Sequence, residues 1–184
     1  LVKETAPRIQ AASLPATVGE ELELIISAKD HCGLAGGPQT SMTEPWRLRV
    51  VSPEVLLAML EAREVILRRR FESLIADFQQ KRDQMVTDAP TTKASDEPTI
   101  SRLAEATSRA DGETSEIAAS FRNISDELYN NGLLTDPLEE RLLNQIATPL
   151  EQIISGPIEQ LRLAVYDSNQ PVDMNRLIKM SDIC

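Results

Sequence analysis

The apolar positions of this chain change period partway along it. "VGEELELIISAKD" alternates at Leu22, Leu24 and Ile26, which is the period of a half-buried strand. "WRLRVV" alternates again, with Trp46, Leu48 and Val50 on one face and Arg47 and Arg49 on the other. The stretch between them, "HCGLAGGPQTSMTEP", is rich in Gly, Pro, Ser and Thr and reads as loop. Two strands joined by a long loop do not make an independent domain. Residues 1–51 are therefore expected to pack on the helices that follow, or to belong to a β domain upstream.

After Ser52 the period becomes helical. Ser52-Pro53-Glu54 is a helix start: a hydroxyl to accept an orphan N–H, a proline that loses nothing in the first turn, and a carboxylate facing the dipole. Apolar residues then fall on a seven-residue repeat. One set is Leu60, Leu67, Leu74 and then Lys81; the other is Leu57, Glu64, Phe71, Phe78 and Met85. Such a 4-3 seam belongs to helices packed at a shallow angle, so the seam is expected to face another helix. "VTDAPTTKASDEP" is a polar loop, and a second seam follows it. Leu103, Ala110, Ile117 and Ile124 form one set there, and Thr107, Thr114, Phe121 and Leu128 the other. Two matched seams around one loop predict an antiparallel hairpin, 52–86 with 98–131, each limb about 50 Å long. Ala and Thr in the early part of the second seam, with Gly112 outside it, make that half the softer one.

Gly132 suits a left-handed helix end, and Asp136-Pro137-Leu138-Glu139 reads as a capping box opening a third helix. Leu142, Ile146, Leu150, Ile153 and Ile154 give that helix its apolar stripe over 137–155. Pro149 is expected to kink or restart it with Thr148 as a new cap, and Gly156-Pro157 to break it. Short helices over 157–167 and 173–182 complete the reading, with "SNQPVD" as a turn between them. The fold class expected is mainly α: a long antiparallel hairpin joined by a third, kinked helix into a bundle over 52–184, with a small β element in 1–51.

Composition narrows the function classes. A chain of 184 residues with 41% hydrophobic and 26% charged residues is ordinary for a globular protein, and only 3% aromatic residues suit packed helices. A net charge of −10 argues against a nucleic-acid partner. The charge is unevenly placed: residues 47–82 carry a local +3 and residues 83–127 a local −6. No apolar run approaches the ~18 residues that a spanning helix needs.

Candidate chemistry is sparse. His31 is the single histidine, beside Cys32, but neighbouring side chains of an extended segment point apart and cannot easily form a Cys–His pair. One histidine cannot build a His-rich zinc site, and no Glu-x-x-His motif is present for a di-iron site. Cys32 and Cys184 are read as free thiols. "GLAGGP" lacks the Lys-Ser/Thr of a phosphate loop. Glu139-Glu140 could serve as paired carboxylates, but a capping role for Glu139 and a solvated turn for Glu140 account for them. Arg68-Arg69-Arg70 has three readings: pairing of Arg68 and Arg70 with Asp111, Glu113 or Glu116 on the second helix, a partner's acidic surface, or anionic lipid. The opposite signs of the two limbs favour the first. No catalytic, cofactor-binding or metal-binding residue is assigned.

Three segments, "PWRLRVVSPEVLLAMLEAREVILRRRFESLIADFQQKRDQM", "IAASFRNISDELYNNGLL" and "RLLNQIATPLEQII", together resemble a group of large membrane-anchored bacterial proteins best represented in planctomycetes. The resemblance covers roughly residues 20–155 and rests on helical packing patterns and caps. It implies an envelope location, with this chain a portion outside the membrane, and a scaffolding role without active residues. The function expected is a non-enzymatic scaffold or interaction segment, with a protein partner or self-association and any membrane contact made by other parts of the parent. The alternatives are a sensory or regulatory helical module beside a ligand-binding β domain, and an enzyme with a carboxylate-only site.

Overall fold

The computed structural model describes residues 13–30, 39–88 and 97–166. It is mainly α, as expected, with three long helical rods and a β ribbon ahead of them. His31, Cys32, Cys184 and the helix expected over 173–182 lie outside the described residues.

The ribbon is more extensive than its alternation suggests. It holds four short strands, β1 (Glu21–Leu24), β2 (Ser27–Lys29), β3 (Thr40–Met42) and β4 (Trp46–Arg49). β1 pairs antiparallel with β4, and β2 with β3. Thr43 stitches the two ladders together: its N–H donates to the Ile26 carbonyl at 2.9 Å, and its hydroxyl accepts the Ile26 N–H at 3.1 Å. β3 therefore lies inside the segment read as loop. The reason is physical: Thr40 and Ser41 are exposed, and a ribbon wet on both faces needs no apolar alternation to pair its backbone. Asp30 closes the ladder, its N–H donating to the Gln39 carbonyl and its carboxylate accepting the Gln39 N–H. The strands are exposed apart from half-buried Leu22 and Leu24, so the helices do not cover them as one expectation had it.

Three residues separate β4 from α1 (Pro53–Asp88), a 36-residue rod of about 54 Å. Ser52 starts it as expected, its hydroxyl accepting the Val55 N–H at 3.4 Å. α2 (Glu97–Asn130) returns antiparallel, and every member of its two apolar sets is buried from Leu103 to Leu128. α1 is less evenly covered. Leu60 and Leu67 are buried, whereas Leu57, Phe71, Leu74 and Phe78 are half-buried. Leu56, outside the expected sets, is buried in place of Leu57. Val51, Leu133, Leu134 and Leu138 pack against the core cluster that holds Leu56, Leu60 and Leu128.

The third rod corrects the sequence reading most. Helical backbone runs without a break from Asp136 to Tyr166, through α3 (Asp136–Glu139), a π segment (Glu140–Ala147), α4 (Thr148–Ile153), a second π segment (Ile154–Ile158) and α5 (Glu159–Tyr166). Thr148 is not a new cap: its φ of −63° and ψ of −45° are helical, and its N–H donates to the Leu143 carbonyl. Gly156-Pro157 does not break the rod either, since Ile153 and Glu159 on each side keep helical angles. Both prolines sit at or beside π turns. The wider i→i+5 ladder shifts the carbonyls that a proline would strike and relieves the need for the N–H it lacks. The capping box is not formed: Thr135 is the N-cap, in extended geometry, and no side chain closes on the orphan N–H groups.

Gly112 sits inside α2, exposed, with nothing within 4 Å of an added Cβ. Gly112→Ala is expected to raise the unfolding free energy by about 0.5–1 kcal/mol, read as a higher urea midpoint at an unchanged slope.

Candidate interaction surfaces

Ion pairs set the register of the rods. Arg63 meets Glu127 at 2.9 Å, Arg70 reaches both Glu113 and Glu116, and Arg109 approaches Asp77 at 3.5 Å. The pairing expected for the arginine triplet thus holds for Arg70. It fails for Arg68, which turns along its own helix to Glu72 at 2.7 Å, one turn away. Residue 68 lies on the flank of α1 away from the α2 carboxylates, because the two 100° steps that separate it from residue 70 carry it out of their reach. Asp111 takes no part in the pairing with Arg70.

Two further arginines tie the third rod to the hairpin. Arg141 grips Glu64 through two bonds, 2.6 and 3.0 Å, and Arg122 grips Glu151 in the same two-pronged way. Sequence reasoning missed both pairs, although one left a signal. Glu64 occupies an apolar position of the α1 repeat, and a carboxylate there demands a partner. Its side chain is 16% exposed, and Arg141 is that partner. Lys81, the other charged residue in the repeat, pairs with Asp77 at 3.2 Å. Glu139 and Glu140 converge on nothing: both are exposed, and the Glu140 carboxylate accepts a bond from Asn144 at 2.6 Å.

The exposed pairs impose a pH dependence. Hydrogen bonds from Arg70 to Glu113, from Arg122 to Glu151 and from Arg162 to Glu159 hold these carboxyls below their ordinary range. A depressed carboxyl adds stability above its unfolded pKa and loses it as pH falls through the folded value. Thermal midpoints are therefore expected to fall as pH drops below about 4.5, and Glu151→Gln is expected to flatten that slope. Raised salt should weaken the same contribution, because the partners are near the surface.

Three apolar surfaces remain uncovered among the described residues. The first is one face of the ribbon. Leu22 lies opposite Leu48 and Leu24 opposite Trp46, so all four share a face, while Glu21, Glu23, Arg47 and Arg49 form a charge ladder on the other. Trp46 is 56% exposed and Leu48 45%. The second is a stripe on α1 made by Val55, Met59 and Ile66, whose spacing of four and seven places them on one flank. The third is a groove between α1 and the third rod, floored by α2. Its portion away from the ribbon encloses about 310 Å³, with Phe71, Leu74 and Phe78 on one wall and Ile153 and Ile158 on the other. A wider portion of about 700 Å³ continues towards Glu64 and Arg141.

No group of three or more His, Cys, Asp or Glu side chains is placed to hold a metal ion among the described residues. No described helix is long and apolar enough to cross a membrane. Compared with protein-family models, with curated proteins and with solved structures, the chain matches none.

Proposed function

We propose that this chain is a non-enzymatic scaffold or protein-interaction segment of a larger, envelope-associated protein. The observation that carries the reading is the two-faced ribbon. A pair of strands with one apolar face open to water is marginal on its own, and Leu22, Leu24, Trp46 and Leu48 gain stability only when another surface covers them. The charged face, with Glu23 and Arg47 at 3.4 Å, is built to stay wet. An aromatic anchor flanked by aliphatic residues is also the composition that concentrates binding energy in protein interfaces.

The test is association. Solution molar mass, together with crosslinking of the full-length parent, is expected to show self-association or a specific protein partner. Trp46→Ser with Leu48→Ser is expected to abolish it, leaving the helical circular dichroism unchanged. A parent protein that remains alone in both measurements refutes the reading.

A second reading is favoured by one specific feature. Only residues 50–52 separate β4 from α1, and Val51 among them packs against the helical core. A displacement of the ribbon would therefore be felt at the start of α1. In a sensory or regulatory module this junction would pass a signal from a ligand-binding β domain into the hairpin. Two flexible glycines inserted after Ser52 would uncouple such a relay and leave a scaffold's association intact.

A further inference from the structure

The exposed stripe on α1 is patterned as well as apolar. Val55, Met59, Ala62 and Ile66 recur at spacings of four, three and four, the seam of two helices packed side by side. All four side chains are exposed, as is Ala58 beside them. The charged residues within this span turn away from the seam: Arg63 pairs with Glu127, and Glu61 lines the groove. α2 and the third rod pack on the other side of α1, where Leu60 and Leu67 are buried. α1 therefore presents one seam to its own chain and a second to solvent.

The second seam is complementary to itself when reversed. In an antiparallel pair of α1 helices, Val55 faces the partner's Ile66 and Met59 faces the partner's Ala62, so the two central layers set a large side chain against a small one. The ends of the seam carry opposite charges. Glu54 precedes Val55, and Arg69 takes the next seam position after Ile66. Both are exposed, and neither belongs to an ion pair among the described residues. Reversal sets Glu54 within about 3 Å of the level of the partner's Arg69, twice by symmetry. A parallel pair would instead set arginine on arginine and glutamate on glutamate. The apolar span is about 17 Å long and a helix about 10 Å across, which falls short of the roughly 800 Å² per partner that a stable interface buries. The seam continues past Arg69 as Ser73 and Ala76, both small and exposed. In the reversed pair this stretch of the partner runs past the start of α1 towards the ribbon, whose apolar face with Trp46 and Leu48 supplies the remaining area.

We propose that a second copy of this chain covers the α1 stripe, α1 against α1 in antiparallel order about a two-fold axis at the level of residues 60–61, with each ribbon resting on the partner's helix. This pairing rests on the association proposed above and names its partner.

The test measures the molar mass and the dimer dissociation constant of the full chain. The parent is expected at twice the mass of one chain. Met59→Glu/Ile66→Glu, at two exposed positions, is expected to return it to one, with the helical circular dichroism unchanged. Arg69→Glu places like charges together at both ends and is expected to weaken the dimer about tenfold or more, and adding Glu54→Arg is expected to restore most of the loss. In a Cys32→Ser/Cys184→Ser background, a short bis-maleimide is expected to join Ala62→Cys chains to each other, and not Val55→Cys chains, whose thiols reversal holds about 17 Å apart along the axis. Unfolding measured below the dissociation constant reads the single chain, where Ile66 stays exposed. Association abolished by Trp46→Ser/Leu48→Ser but unmoved by Met59→Glu/Ile66→Glu would overturn this pairing and leave the proposed function standing, as would a chain that stays single and binds only another protein. Crosslinking of Val55→Cys chains, or no restoration by Glu54→Arg, would overturn the antiparallel order.

Discussion

Replacing Ile124 by alanine is expected to lower the unfolding free energy by about 2–5 kcal/mol. Ile124 is 0% exposed and belongs to the cluster that joins Leu60 and Leu67 of α1, Phe121 and Leu128 of α2, and Leu142 of the third rod. All three rods converge there, so no one helix can shift inward to refill the space without losing contacts elsewhere. The loss combines the transfer of the missing carbons with the cavity they leave. Denaturant unfolding followed by circular dichroism would read it as a lower midpoint with an unchanged slope. Ile66→Ala removes the same atoms from a side chain 63% exposed on α1 and is expected to stay within about 0.5 kcal/mol of the parent. Equal losses at the two positions would mean that the hairpin does not bury the seam assigned to it.

That seam was the most legible part of the chain, and the reason is its redundancy. In α2, eight positions from Leu103 to Leu128 repeat the same pattern, and each additional match multiplies the evidence for one buried face. Phe121, at 5% exposure, sits where that repeat requires. Phe71 is only half covered, because the repeat of α1 reports which face is apolar but not how far a neighbour extends along it. β3 was illegible for the opposite reason: a ribbon exposed on both faces leaves no apolar imprint. The third rod misled because Pro149 and Gly156-Pro157 are local signals of helix ending. Whether a π turn accommodates them depends on packing against α2, which no local signal carries.

The interaction surfaces were legible in one part. Arg70 found Glu113 and Glu116 because opposite charge on adjoining limbs constrains both register and side. Arg68 did not, because charge alone does not distinguish neighbours 200° apart on a helix. The apolar ribbon face was visible as alternation in each strand. That Leu22 meets Leu48 and Leu24 meets Trp46 needed the register, which the long connection between the strands left open.

Gly132→Ala is expected to destabilise the protein by about 1–2 kcal/mol, the cost of placing a Cβ in left-handed backbone. Gly132 has φ of 68°, and the bonds around it are those of a Schellman ending. Its N–H donates to the Tyr129 carbonyl at 3.0 Å, and the Leu133 N–H donates to the Leu128 carbonyl at 2.9 Å. Leu133 then packs against the core cluster that contains Leu128, so the turn both ends α2 and aims the chain into the third rod. The comparison with Gly112→Ala isolates the cause. Both changes add one methyl group to a glycine at or near α2, yet one enters right-handed helix with open space around it and the other a left-handed turn. Opposite signs of the two midpoint shifts, measured in the same denaturant, are the expected result. Gly132→Asn, whose side chain tolerates this backbone better, should recover part of the loss. A neutral Gly132→Ala would mean that α2 does not end in this turn, and the path assigned to the third rod would fall with it.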